Sequence, residues 1–124
     1  MAATEERIRE VIERYVALVA TGTADEITAL YADGATVEDP VGSDVLTTRE
    51  QIHGFYATLE VLEQETRLIE ARIGGGQAAF LFEVRTISDG VTYTLSPIDV
   101  MTFDDDGLVT SMRAFWGPGD MAVA

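Results

Sequence analysis

Apolar positions in the first half of the chain recur at helical spacing. Between about Thr4 and Ala20 they return every three or four residues, which predicts a helix with one buried face. Thr23 is followed three residues later by Glu26, the spacing of a capping box at the start of a helix, and Thr48 with Gln51 repeats it. The pattern predicts three helices: about Thr4 to Ala20, Thr23 to a stop at Asp33-Gly34, and Thr48 through Leu62.

Apolar and polar residues alternate in the second half of the chain, which is the period of a strand. Glycine-rich and Asp-Gly turns separate the alternating segments, as in hairpins. The acidic turn at 104–107 lacks the alternating ligand spacing of a calcium loop, so we interpret it as a solvated turn. The predicted strands are Ala35 to Glu38, which Asp39-Pro40 halts, then Arg67 to Ile73, Ala78 to Ile87, Tyr93 to Phe103 and Leu108 to Trp116.

Helices first and strands afterwards indicate the α+β class, with three N-terminal helices packed on one face of a curved antiparallel sheet. The chain has 124 residues, of which 47% are hydrophobic, so we expect one domain over residues 1–124 with one core. It carries 22 acidic and 8 basic residues, a formal net charge of −14. This charge repels phosphate backbones and anionic lipid, so we expect no nucleic acid or membrane partner. A small, neutral, apolar ligand remains permitted.

Residue types that are missing narrow the chemistry further. The sequence has no cysteine and no lysine, which excludes thiolate nucleophiles, Schiff bases and Walker-type phosphate loops. Its one histidine, His53, excludes a metal held by several imidazoles, and we expect no metal site. No apolar run has the length of a membrane span and no secretory signal is visible, so a cytoplasmic protein is expected. The remaining chemistry belongs to carboxylates, tyrosines and the backbone.

Asp99 lies on the more apolar side of its predicted strand. The residues on the same face of this strand are Tyr93, Leu95, Pro97, Met101 and Phe103. Burial penalises an ionised carboxylate there, so its pKa should rise and a protonated Asp99 would act as a hydrogen-bond donor. A bulge at Pro97 that turns Asp99 outward, or an Arg partner, would explain it equally well.

Asp39 and Tyr15 are weaker signals when each is judged alone. Asp39 ends its strand where a pocket can open, but an Asp before a loop more commonly forms an Asx turn or a cap. Tyr15 lies in the apolar stripe of the first helix, where most tyrosines are core residues. Either residue on its own favours a structural role.

Five segments taken together carry a family resemblance. In chain order they are RYVALVATG around Tyr15, LYADGATVEDPVGS around Asp39, GFYA around Tyr56, SPIDVMTF around Asp99, and SMRAFWG near the end. This pattern resembles the bacterial ketosteroid isomerases (steroid Δ5-isomerases) from the first helix to Trp116. The resemblance implies the cone-shaped α+β fold of the nuclear transport factor two-like superfamily and a homodimer joined through the sheet.

The resemblance also implies roles for individual residues. Asp39 matches the proton-shuttling base, while Tyr15 and Asp99 match the two donors to the oxyanion. Tyr31 and Tyr56 match a tyrosine network that supports those donors. The implied reaction moves the double bond of a 3-oxo-Δ5-steroid, a small apolar ketone, to the conjugated Δ4 position without a metal or organic cofactor. Residues resembling pocket wall are Met112 and Trp116, on one face of the last strand, with Phe82 and Met101.

Two other classes of function stay open at this point. The first class is another enzyme of the same fold, such as a polyketide cyclase-like protein, a dehydratase or an epoxide hydrolase. His53 is poorly placed for dehydratase chemistry, and no Arg matches the Asp-Arg-Asp arrangement of an epoxide hydrolase. The second class is a non-catalytic module that binds a steroid-like molecule, since one fold hosts many functions. The combination of Tyr15, Asp39 and Asp99 favours catalysis.

Overall fold

The computed structural model describes residues 2–124 as three helices packed against one seven-stranded sheet. Both predicted capping boxes are confirmed at the starts of the second and third helices. No helix in this described range is long and apolar enough to cross a membrane. The elements are α1 (Glu5–Thr21), α2 (Ala24–Thr28), β1 (Tyr31–Glu38), α3 (Arg49–Glu60), β2 (Glu63–Gly74), β3 (Gln77–Ser88), β4 (Val91–Leu95), β5 (Ile98–Phe103), β6 (Val109–Phe115), a 3-10 turn (Pro118–Asp120) and β7 (Met121–Val123).

The long strand β3 organises the sheet. On one side it pairs with β2 along its whole length. On the other side its first half pairs with β5 and its second half with β4. The sheet then continues outward from β5 to β6 and β1, and from β4 to β7. One strand therefore connects two wings of the sheet, and the wings separate where Ser96 and Pro97 interrupt the chain between β4 and β5.

The α+β class is confirmed, but the sheet is mixed rather than wholly antiparallel. Strand β1 runs parallel to β6, with Val37 opposite Met112, and all other strand pairs are antiparallel. The parallel pairing is possible because α3 and the hairpins of the second half lie between the two strands in the chain. Alternation along one strand carries no information about the direction of its neighbour, so the sequence pattern did not reveal it.

The second helix is shorter than predicted and ends at Thr28 instead of Asp33-Gly34. The chain leaves the helix because Leu30 O accepts a hydrogen bond from Val109 N, which places Tyr31 in β1 beside β6. Arg49 of α3 secures this exit by donating to the carbonyl oxygens of Thr28 and Tyr31. A tertiary pairing thus overrides the helical spacing of the segment.

The predicted strand Tyr93 to Phe103 is two strands in the structure. Pro97 has no N–H to donate, and its carbonyl oxygen accepts a hydrogen bond from Phe82 N where β3 changes partner. The last strand, β7, was not predicted at all. Its three residues are exposed, and pairing with β4 defines the strand rather than any apolar pattern.

Candidate active site

An apolar cavity of about 210 Å³ lies between helices α1 and α3 and the inner face of the sheet. Its wall combines a large apolar surface with a few polar side chains, the composition expected of a small-molecule site. The lining residues are Tyr15, Val19, Asp39, Phe55, Leu59, Gln64, Phe82, Val84, Thr86, Tyr93, Leu95, Pro97, Asp99, Trp116 and Met121.

Asp99 points from the start of β5 into this cavity and is only 1% exposed. Its backbone pairs with Phe80 of β3, so the outward bulge considered at Pro97 does not occur. The Oδ1 atom is buried and has no hydrogen-bond partner among residues 2–124. Burial raises the pKa of this carboxyl well above its usual value, and the negative charge of Asp39 raises it further. Its surroundings therefore favour the protonated form of Asp99, which can donate a hydrogen bond.

Tyr15 contacts the cavity from the middle of α1 and belongs to a chain of three buried tyrosines. The Tyr15 and Tyr56 hydroxyl oxygens are 3.0 Å apart, and those of Tyr56 and Tyr31 are 2.6 Å apart. Burial is the main cause that raises the pKa of each phenol well above 10. Donation from Tyr31 to Tyr56 and from Tyr56 to Tyr15 would leave the Tyr15 proton free to point into the cavity.

Asp39 follows β1 directly, in the same wing of the sheet as Asp99, and reaches the same cavity. Trp116 Nε1 donates a hydrogen bond of 2.7 Å to Asp39 Oδ1. Burial raises the pKa of Asp39, and the hydrogen bond from Trp116 opposes that rise by stabilising the charged form. Asp39 is therefore held nearer to ionisation than Asp99, and the two carboxyl groups of one cavity differ in their affinity for a proton.

The structure brings together some of the predicted pocket residues but not all of them. Phe82 and Trp116 line the cavity together with the three proposed catalytic residues. Tyr31 and Tyr56 do not line it and instead bond behind Tyr15. The remaining predicted wall residues, Met101 and Met112, are 0% exposed and absent from the lining residues.

Met101 and Met112 are core residues for a structural reason. They are opposite each other in β5 and β6, and Met112 is also opposite Val37 of β1. All three residues lie in the hydrophobic core, in the part of the sheet that runs from β5 to β1. Met112 lies within β6, whereas Trp116 follows the end of that strand and lines the cavity.

Apart from Phe82, sequence reasoning missed the cavity wall formed by β2, β3, β4 and β7. Val84 and Thr86 follow Phe82 at intervals of two, so strand alternation alone would have placed all three on one face. Gln64 belongs to a part of β2 that lay outside the predicted strand. No sequence signal identifies Met121, because only the pairing of β7 with β4 brings it to the cavity.

The arrangement is suited to moving a proton within an apolar molecule. It combines two carboxyl groups that differ in their affinity for a proton, and a phenol, around a largely apolar space. Among the described residues, no three His, Cys, Asp or Glu side chains are grouped so that they could hold a metal ion. The fold and site together define an α+β small-molecule domain with acid–base groups in a buried cavity.

Comparison with known proteins places the chain in a family. A model of the SnoaL-like domain matches residues 12–112. The steroid Delta-isomerase of Nocardioides simplex is 48% identical over 116 residues, which are 94% of each chain. The chain belongs to the SnoaL-like family, within the nuclear transport factor two-like superfamily, and it is an enzyme of the isomerase class.

A solved structure supports the same fold. SalBIII, an epoxide hydrolase/cyclase-like enzyme with a role in pyran ring formation in the polyether salinomycin, matches with a TM-score of 0.90 and 26% sequence identity. The match covers 97% of this chain and 98% of that chain. The cone-shaped α+β architecture expected from the sequence is therefore confirmed.

Met112→Ala should act on stability, because it leaves a void in the core. We expect it to lower the free energy of unfolding by roughly 2–5 kcal/mol, measured by urea denaturation. Met121→Ala is the matched control, since Met121 is 40% exposed and lines the cavity. A Met121→Ala loss of stability equal to that of Met112→Ala would contradict the placement of Met112 in the core.

Asp99→Asn should change how stability depends on pH. Because the pKa of Asp99 is raised in the folded state, the folded protein keeps a proton that the unfolded chain loses above about pH 4. Wild-type stability therefore loses about 1.4 kcal/mol per pH unit from this group until the folded pKa is passed. The stability of Asp99→Asn minus that of the wild type should rise with pH by this slope from about pH 5, measured by urea denaturation. A difference that stays constant with pH would mean that Asp99 is ionised in the folded protein.

Proposed function

We propose that this isomerase converts 3-oxo-Δ5-steroids to the conjugated 3-oxo-Δ4 isomers by proton transfer through a dienolate. The observation that carries the proposal is the unpartnered, buried Asp99 carboxyl, which faces the same cavity as Tyr15 and Asp39. A buried polar group without a partner costs roughly 1–3 kcal/mol, so it is expected to have a partner during function. A substrate carbonyl oxygen is a suitable partner for a neutral acid. The steroid Delta-isomerase of Nocardioides simplex supports the same reaction by its similarity.

In the proposed mechanism Asp39 first removes a proton from C4, next to the carbonyl carbon. The electron pair of the C4–H bond forms a C3=C4 double bond, and the carbonyl π electrons move to the oxygen. Tyr15 and Asp99 donate hydrogen bonds to this developing oxyanion. Asp39 then returns the proton to C6: the C5=C6 π electrons form the new C6–H bond, the C3=C4 π electrons shift to C4=C5, and an electron pair of the oxyanion forms the C3=O bond again. No atom is gained or lost, as an isomerisation requires.

The two carboxyl groups need opposite protonation states at one pH. Asp39 must accept a proton, and its hydrogen bond from Trp116 favours the ionised form. Asp99 must donate, and its deeper burial favours the neutral form. Ketosteroid isomerases are the established example of a carboxylic acid kept neutral for this purpose, so the roles follow the family. The difference in environment supports applying them to this chain.

The cavity wall supports a neutral, apolar substrate. Phe82, Val84 and Leu95 provide an apolar surface between the polar groups, and the net charge of −14 disfavours anionic molecules. A fused-ring ketone satisfies both conditions. The alternative function, that of a cyclase-like enzyme, is supported by the resemblance to SalBIII, whose sequence identity of 26% is lower than the 48% of the steroid Delta-isomerase. No Arg is among the residues that the structure places on the cavity wall, which disfavours the Asp-Arg-Asp chemistry of epoxide hydrolases.

The assembly and location remain part of the proposal. We expect a homodimer joined through the sheet, as the family resemblance implies, and a cytoplasmic location. Ile98 of β5 and Phe115 of β6 are opposite each other in the sheet and are 46% and 43% exposed. An apolar pair of this kind on the outer side of the sheet is suited to contact with a second copy.

Asp39→Asn should remove most of the isomerase turnover, because an amide cannot accept the C4 proton. With 5-androstene-3,17-dione as substrate, the ultraviolet absorbance of the conjugated enone should appear roughly 10²–10⁴ times more slowly. Steroid binding should persist. Asp44→Asn serves as control, since Asp44 is an exposed carboxylate in the loop after β1 and should leave the rate unchanged. Wild-type turnover in Asp39→Asn would exclude Asp39 as the base.

Asp99→Leu should slow the same reaction far more than Asp99→Asn. Leucine cannot donate to the oxyanion, and removing one such donor costs roughly 10²–10³ in kcat. The asparagine amide retains a donor at the same place. Equal rates for the two variants in the enone assay would argue against an oxyanion role for Asp99.

A further inference from the structure

The polar groups of the cavity wall form two separate sets. Tyr15, Asp39, Asp99 and Trp116 form the reactive set described above. Gln64 of β2 and Thr86 of β3 form the other, and Tyr93 of β4 lies beside Thr86 in the sheet. The wall residues outside these two sets are apolar: Val19, Phe55, Leu59, Phe82, Val84, Leu95, Pro97 and Met121.

Strand β3 provides the spacing between the two sets. Asp99 is opposite Phe80, and Thr86 lies six residues further along the strand. At about 3.3 Å per residue, their levels along the strand are at most about 20 Å apart. Side chains extend into this interval from both ends. An elongated ketone whose carbonyl contacts Asp99 therefore points its far end towards Gln64 and Thr86.

The Gln64 amide group makes a hydrogen bond through its nitrogen but not through its oxygen. Gln64 and Thr86 are directly opposite each other in β2 and β3, and Gln64 Nε2 donates to Thr86 Oγ1 over 2.9 Å. Gln64 Oε1 is buried and has no partner within the described part of the chain. Only three buried side-chain atoms in that part lack a partner, and the other two belong to Asp99 and Thr28. Of these three residues, Gln64 and Asp99 line the cavity, one in each polar set.

An unpartnered acceptor of a cavity-lining residue can accept a hydrogen bond from a donor on the ligand. Leaving Gln64 Oε1 without a hydrogen bond costs free energy. A ligand hydroxyl that reaches it removes this cost and gains a hydrogen bond. A ligand that presents only hydrocarbon leaves the atom unsatisfied, and such sites discriminate between substrates through the unpaired group.

We propose that Gln64 determines substrate specificity by accepting a hydrogen bond from a hydroxyl group at the end of the steroid remote from the reacting ketone. Thr86 is a positioning residue that orients the Gln64 amide. The proposal rests on the proposed steroid isomerisation, because the ketone at Asp99 sets the direction of the substrate. It adds a preferred substrate class, the 17-hydroxylated 3-oxo-Δ5-steroids.

The test compares two substrates that differ only in the remote hydroxyl, 17β-hydroxy-5-androsten-3-one and 5-androsten-3-one. The wild type should have the lower KM for the hydroxylated substrate. Gln64→Leu should raise that KM by roughly threefold to tenfold and leave the KM of the deoxy substrate unchanged. Because the contact is far from the reacting atoms, kcat should change by less than about twofold. Equal losses on both substrates would overturn the proposal, since a merely structural role affects both.

A third substrate tests the polarity of the contact. 5-Androstene-3,17-dione carries a ketone in place of the hydroxyl and cannot donate to Gln64 Oε1. The acceptor role predicts a wild-type KM for the dione that is no lower than for the deoxy substrate. A preference for the dione over both others would overturn it, because the amide N–H would then be the group facing the ligand.

Two further variants separate specificity from folding. Thr86→Val should reduce the preference for the hydroxyl by a smaller factor than Gln64→Leu, because it releases the amide without removing it. Gln77→Leu is the matched control: this exposed glutamine lies at the other end of β3 and should leave every constant unchanged. If Gln64→Leu does not fold, an unchanged hydroxyl preference in Thr86→Val overturns the proposal by itself.

A binding measurement distinguishes this proposal from the proposed function. The only tryptophan, Trp116, lines the cavity, so its fluorescence reports ligand binding without turnover. The conjugated 17β-hydroxy product should bind the wild type more tightly than the deoxy product, and Gln64→Leu should remove the difference. Selective binding without turnover of any substrate would refute the isomerase function alone. Turnover of all three substrates without hydroxyl selectivity would refute the role of Gln64 alone.

Discussion

The burial of the Asp99 carboxyl is the constraint on which the site depends. An ionised carboxylate in this position would lose its hydration without gaining a cationic partner, so the free energy of the charged form is strongly raised. The neutral form is a donor whose surroundings leave Oδ1 without a bond. Folding thus maintains a poorly solvated acid with an unpartnered oxygen atom, and the stability of the rest of the core must offset its cost in free energy.

The other acid–base groups are arranged around that acid. Tyr15 is held by Tyr56, and Tyr56 by Tyr31, so three elements far apart in the chain fix one phenol. Asp39 faces the same space, and its bond from Trp116 partly offsets its own burial. The two carboxyl groups share a cavity and still differ in proton affinity, because one has a hydrogen-bond donor and the other is more deeply buried.

The path of β3 explains why one cavity contains both polar sets. Its first half pairs with β5, which carries Asp99, and its second half pairs with β4 and with the part of β2 that carries Gln64. The interruption at Ser96 and Pro97 separates the two wings of the sheet at this change of partner, and the apolar middle of the cavity lies along it. Strand β3 and its partners therefore place the proposed oxyanion donor Asp99 and the proposed specificity residue Gln64 on the wall of one cavity.

The sequence by itself determined the helix starts and the α+β class, because capping and alternation are local properties of a chain. It placed Asp99 on the buried side of a strand for the same reason. Its family resemblance predicted Tyr15, Asp39 and Asp99 as acid–base residues, and all three line one cavity. Only the tertiary structure decided the parallel pairing of β1 with β6, the early end of α2, and the core position of Met101 and Met112. It also decided that Gln64 and Met121 reach the cavity. These features arise from pairing between distant strands, and the period of one segment does not specify which partner, in which direction, it will meet.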